Sequence, residues 1–238
     1  CGPDAFLLDE VRGILQRNSK ALTILKIDDV NSIGSLKLRV RSVVESLKYN
    51  TGKVLKQEPF EDTKVFNGNC KDFTILAPYF TPFISPLIPS VFKILHYNIV
   101  TLPESNAASA DLGLKYANNE VCYPATLVVG DFIKALSSGK YDLKHTATVI
   151  TQTGGQCRAS NYLCLIKRAL VEAGYKDVPV ISLALSKSLK KEQEGFSINW
   201  LKIARITVVT MLYSDALSKL YHATAVRETK KGIAEELK

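Results

Sequence analysis

Short apolar segments alternate with amphipathic ones along most of this chain. That alternation narrows the folds open to it more than any other feature. Phe73–Ala77 (FTILA), Asn98–Leu102, Thr146–Thr151 (TATVIT) and Val178–Leu183 (VPVISL) are each five or six residues rich in aliphatic and β-branched types. Between them, apolar residues recur at helical spacing around Val91–Leu95, over 107–117, over Pro124–Leu136 and over 157–173, the last ending at Gly174. Near-continuous apolar strands joined by helical connections predict an α/β fold: a Rossmann-like parallel sheet with helices on both faces. Pro78–Pro89 holds four of the nine prolines and predicts a loop feeding a helix.

Upstream, Phe6, Leu7, Val11, Ile14 and Leu15 predict a helix, with Pro3 at its start. Leu22–Ile27 predicts a strand, and Leu36, Val40, Val43, Val44 and Leu47 predict a second helix over 35–48. Residues 50–70 are polar and contain glycine, so two regions are expected. Residues 1–66 would form a partial helix–strand–helix lobe continuing a missing upstream region. Residues 67–238 would form the Rossmann-like lobe with a long C-terminal helix, which carries Ile198, Leu201, Ala204, Val208, Met211 and Leu212 roughly on one side. Trp200 is expected in the core.

Composition excludes several classes. With 238 residues, 46% of them hydrophobic, the chain can bury a core without disulfide staples. A charged share of 23% excludes wholesale disorder. The most apolar run, Ile206–Tyr213, is eight residues long, against the ~20 of a membrane span, and no signal-peptide pattern opens the chain. The first residue is Cys1 where a native chain starts with Met, which predicts a processed chain or a segment of a longer one. The balance of +8 permits anion binding without requiring it. Only Lys187–Lys191 and Arg227–Lys231 cluster, and runs this short are ordinary solvated helix ends. No nucleic-acid motif stands out, so neither nucleic acid nor membrane is an expected partner. Five cysteines, an odd count with no Cys-x-x-Cys, point to a reducing cytoplasm rather than a disulfide framework. His96, His145 and His222 stand far apart, which argues against a classical zinc site. Asp9-Glu10 and Asp28-Asp29 read as solvated pairs, since adjacent side chains do not converge.

The cysteines are more informative. Cys1-Gly2-Pro3 and Cys122-Tyr123-Pro124 share a Cys-x-Pro pattern in which proline opens an expected helix. Cys157 follows Thr153-Gly154-Gly155-Gln156, a glycine-rich turn from strand to helix. All three therefore fall at expected helix N-termini, where backbone N–H groups and the macrodipole favour negative charge. The thiolate is the form of sulfur that binds iron–sulfur clusters and soft metals. Cys122 and Cys157 stand one strand–helix unit apart, which places them in neighbouring loops on one edge of the sheet. The alternative is packing, since free cysteine often behaves as a small buried hydrophobe. Cys164, among Tyr162, Leu163, Leu165, Ile166 and Leu170, is assigned to the core, and Cys70 to a structural role. Gly154 and Gly155 alternatively suit a phosphate nest, although the full P-loop pattern is absent.

Cys1-Gly-Pro-Asp-Ala-Phe6, Asn119-Glu-Val-Cys-Tyr-Pro-Ala125, Gly130-Asp131, Gln152-Thr-Gly-Gly-Gln-Cys-Arg-Ala-Ser-Asn-Tyr162, Val178-Pro-Val-Ile-Ser-Leu183 and Tyr213-Ser-Asp-Ala-Leu217 together resemble the C-terminal part of the long CoA-substrate-specific enzyme activases. These are also called activators of 2-hydroxyglutaryl-CoA dehydratase. The resemblance runs over nearly the whole chain, and 152–162 is its most specific block. It implies a 2-hydroxyacyl-CoA dehydratase-like region built from Rossmann-like lobes, with a [4Fe-4S] cluster on three cysteines. Carried over, Cys122 and Cys157 become expected ligands with Cys1 as the third. Gly154, Gly155 and Gln156 would approach the cluster by backbone, and Arg158 and Asn161 would offset its charge or meet a substrate. The implied partners are upstream ATPase domains of the full-length chain and a CoA-thioester dehydratase. The ATPase domains and the upstream lobe are not in this sequence, so ATP hydrolysis is not expected of it. A cluster-free scaffold that docks such partners is the competing expectation.

Overall fold

The computed structural model describes residues 11, 14–15, 18, 33–49, 62–66, 70–117, 121–152, 162–184, 193 and 196–237. The chain divides into two compact units, Cys1–Glu61 and Asp62–Lys238. In the first, helix α1 spans Ile33–Tyr49, two residues earlier and one later than its periodicity predicts. The helix expected around Phe6–Leu15 lies mostly outside the described residues, and the strand at Leu22–Ile27 lies wholly outside them.

The second unit begins before the expected 66/67 boundary, for a visible reason. Phe66 is buried in the core of this unit, and the Lys64 N–H donates to the Lys176 carbonyl at 2.7 Å. Its four described strands are β1 (Thr74–Ala77), β2 (Asn98–Thr101), β3 (Thr146–Gln152) and β4 (Val180–Ala184). They form one all-parallel sheet in the order β2-β1-β3-β4. The helices are α2 (Ile88–Lys93), α3 (Ala107–Tyr116), α4 (Tyr123–Ser137), α5 (Tyr162–Glu172) and α6 (Trp200–Ala225). The expected α/β class, with a Rossmann-like parallel sheet and a long C-terminal helix, is what the chain adopts.

Both faces of the sheet bury apolar residues, which is why its strands read as nearly unbroken apolar runs. Successive strand residues point to opposite faces. Ile75, Ala77, Ile99, Ala147, Val149 and Ile181 share one face and pack with Phe66, Tyr97 and Phe196, joined by Phe92 and Ile88 of α2. Leu76, Thr148 and Ile150 point to the other face and are equally buried. The buried sides of α4 (Ala125, Val129, Phe132, Ile133, Leu136) and α5 (Leu163, Ile166, Ala169, Leu170) supply the second apolar layer. Right-handed crossovers in this strand order put α2 on one face and α4 with α5 on the other.

The free edge of β4 is blocked by a side chain. The Ser182 N–H donates to Gln193 Oε1 and the Gln193 amide donates to the Ser182 carbonyl, both at 2.8 Å. Gln193 thus answers the backbone as a neighbouring strand would, leaving less edge for intermolecular pairing.

Two expectations about burial are corrected. Cys164 is exposed, not core. It lies on the side of α5 opposite Leu163, Leu165, Ile166, Ala169 and Leu170. Trp200, expected in the core, is half out at 46%, and the side of α6 with Leu201 (92% exposed), Val208, Met211 and Leu212 (64%) faces outward. The side that α6 buries carries Ile203 and Ser214 instead. No helix among the described residues is long and apolar enough to cross a membrane.

Candidate functional site

In a sheet ordered β2-β1-β3-β4, the connection leaving β1 runs one way and the connection leaving β3 the other. The crevice between these strands, at their carboxyl ends, is where open α/β sheets bind ligands. Two chain segments leave the sheet there. One follows Ala77 and the other follows Gln152, leading into the Gly154–Asn161 block. The first is a tied loop: the buried Ser85 hydroxyl accepts from the Phe80 N–H at 2.9 Å and from the Thr81 N–H at 3.1 Å.

Helix α4 reaches the same side of the sheet. Its C-terminal end feeds β3 through the short 3-10 turn Leu143–His145, so its N-terminus points to the carboxyl-end side. That N-terminus begins where the Cys-x-Pro pattern predicts. Cys122 is the N-cap, in extended backbone (φ −65°, ψ 144°), and Pro124 sits in the first turn. Proline fits there because its missing N–H has no intrahelical acceptor to lose. The Cys122 carbonyl accepts from the Ala125 N–H at 2.9 Å and the Thr126 N–H at 3.3 Å, and the thiol is not used as a cap.

The Cys122 side chain is half-buried, and its Sγ lies 2.9 Å from the Tyr162 hydroxyl. Tyr162 is the first residue of α5, the helix that follows the Gly154–Asn161 block. Two helices far apart in sequence therefore begin side by side, joined by a sulfur–hydroxyl contact at the carboxyl-end side of the sheet. Either atom can donate in this contact. A tyrosine hydroxyl is the stronger donor toward sulfur once the sulfur is a thiolate or is bound to a metal.

Family models, curated proteins and solved structures all fail to match this chain. Of the expected ligands, Cys122 stands among the described residues, while Cys1 and Cys157 lie outside them, as do Gly154, Gly155, Gln156, Arg158 and Asn161. Among the described residues no group of three or more His, Cys, Asp or Glu side chains converges as a metal site. The one donor that can be judged is a half-buried thiol at a helix N-terminus, with a hydroxyl beside the sulfur.

Tyr162 is the residue that cysteine counting alone overlooks. Its signal was its place one residue past the Gly154–Asn161 block. Gly130-Asp131 turns out to build the scaffold behind the site. Asp131 is 3% exposed and accepts from the Ser105 hydroxyl at 2.5 Å, with the Lys134 ammonium 3.4 Å from its other oxygen. Lys134 also donates to Ser109 Oγ at 2.5 Å and Asn106 Oδ1 at 3.2 Å. Asn106 caps α3 in a reciprocal capping box with Ser109, so this network fixes the start of α3 against the middle of α4. Gly113 and Gly130 complete that seam. A Cβ on Gly130 would land on the Ser109 carbonyl oxygen, and one on Gly113 on the Thr126 carbonyl oxygen. The α3–α4 pair thereby sets where α4 starts, and so where the Cys122 sulfur stands.

Proposed function

We propose that this chain is an iron–sulfur electron-transfer module of the 2-hydroxyacyl-CoA dehydratase/activase family. It would be part of a larger, cytoplasmic, ATP-dependent protein that acts on CoA thioesters. The observation that carries the reading is the Cys122–Tyr162 contact, which sets a thiol at the start of α4 beside the helix that follows Cys157. In the proposal Cys122, Cys157 and Cys1 are thiolate ligands of a [4Fe-4S] cluster. Such a cluster supplies one-electron transfer at a potential set partly by hydrogen bonds to its sulfurs. Tyr162 donates its O–H to the Cys122 sulfur and holds that side chain in one rotamer. Gly154, Gly155 and Gln156 would approach the cluster by backbone, and Arg158 and Asn161 would offset its charge or meet a substrate. Upstream ATPase domains and a partner dehydratase would supply and consume the electron.

The test is reconstitution with iron and sulfide under anaerobic conditions, comparing wild type with the Cys122→Ser/Cys157→Ser variant. Wild type is expected to turn brown, with broad absorption near ~400 nm, and the double variant to stay colourless. Equal reconstitution of the two would refute the ligand assignment.

A second reading, a cluster-free module that docks a partner, is favoured by the outward apolar side of α6. It predicts iron and sulfide near zero in well-folded protein prepared anaerobically.

A further inference from the structure

Helix α6 has two sides with unexpected characters. The side toward its own unit carries Ile203, Thr207, Thr210, Ser214 and Leu217, all buried or half-buried. Three of these five are hydroxyl residues. The outward side carries Leu201, Arg205, Val208, Leu212, Asp215 and Lys219, all exposed, with Val209 and Met211 flanking them. The spacing of the six alternates four and three residues from Leu201 to Lys219, the pattern of a coiled-coil seam. Over so few heptads a straight helix drifts from such a seam by only about 20° per heptad. Among the described residues nothing covers the leucine, valine and methionine side chains of this outward side.

The charges on the seam say what partner would cover it. Arg205 and Asp215 stand symmetrically about Thr210, as do Val208 and Leu212, and as do Leu201 and Lys219. We infer that α6 pairs with α6 of a second copy of this chain, antiparallel, about a twofold axis that crosses the outward seam at the level of residue 210. In that arrangement Arg205 of each copy faces Asp215 of the other, and Val208 faces Leu212, twice each. Leu201 packs on the aliphatic stem of Lys219, whose ammonium reaches the Asp215 carboxylate of its own copy. A parallel pairing would instead set Arg205 against Arg205 and Asp215 against Asp215. The twofold arrangement is isologous, each contact being made twice by the same patch. Within one copy Asp215 already accepts from Lys219 at 2.8 Å, so its carboxylate is held on the seam. This inference stands apart from the cluster, and its test reads mass rather than iron.

The test is sedimentation of the whole chain across a concentration series, with two charge-reversal variants, Arg205→Asp and Asp215→Arg. Wild type is expected to dimerise. Each variant alone faces like charge with like charge, so its dissociation constant should rise ~10-fold or more, with circular dichroism unchanged. Mixed in equal amounts, the two variants should recover the dimer. The introduced carboxylate of one then faces the introduced guanidinium of the other, while native Asp215 faces native Arg205. Wild type that stays monomeric throughout overturns the inference, including the case in which residues 1–61 of the same chain cover the seam. A dimer indifferent to both reversals also overturns it, because the contact is then another surface.

Discussion

The hydroxyl of Tyr162 separates a packing role for Cys122 from a ligand role. If the sulfur only packs, losing the Tyr162 hydrogen bond to Cys122 in Tyr162→Phe costs about 0.5–1.5 kcal/mol and leaves the chemistry of the sulfur unchanged. If the sulfur binds a cluster, the same change removes a donor that stabilises the more negative, reduced state. Tyr162→Phe is then expected to reconstitute normally and to show a more negative reduction potential in a spectroelectrochemical titration; an unchanged potential would contradict the role. At the same scale, Asp142 shows what an exposed carboxylate gains from local partners. Hydrogen bonds from His145 (2.7 Å) and the Lys144 N–H (3.1 Å) hold its carboxyl below the ordinary aspartate value. This pair fastens the turn that leads from α4 into β3.

Among the elements, the α3–α4 pair carries the sharpest prediction, because helix propensity and packing disagree there. Alanine is preferred to glycine inside a helix by about 1 kcal/mol. Gly130→Ala would nonetheless drive its methyl into the Ser109 carbonyl, and overpacking of this kind costs about 1–3 kcal/mol. Denaturant unfolding is therefore expected to show a loss of stability for Gly130→Ala; a gain would mean that the two helices separate freely. Most elements were legible because their punctuation is local. Pro124 opens α4, and Gly174, with φ of +85°, closes the turn after α5. What could not be read was which side of a helix faces its own unit. Cys164 has apolar neighbours on both sides in sequence, yet at about 100° per residue it falls opposite the buried arc of α5. In α6 the apolar residues mark a side that Thr207, Thr210 and Ser214 do not, and periodicity alone cannot say which side is inward. Residues 62–66 were placed with the first lobe because the burial of Phe66 comes from packing with sheet residues far along the chain, which no local pattern shows.

For the whole molecule, strand order decides where chemistry can occur. The arrangement β2-β1-β3-β4 puts the switch between β1 and β3, and the segment leaving β3 is the one that carries Gly154, Gly155, Gln156 and Cys157. Strand alternation made the parallel sheet legible, and the Cys-x-Pro pattern made the N-cap at Cys122 legible. Their meeting with Tyr162 was not, since it depends on α3 and α4 packing as a pair before the chain enters β3. The central proposal is that this edge of the sheet binds an iron–sulfur cluster. The direct measurement is iron and acid-labile sulfide per chain in protein purified and reconstituted without oxygen. The account predicts about four of each per chain, as a [4Fe-4S] centre requires, in protein whose circular dichroism shows a folded α/β chain. Iron and sulfide near zero in equally well-folded protein would contradict it.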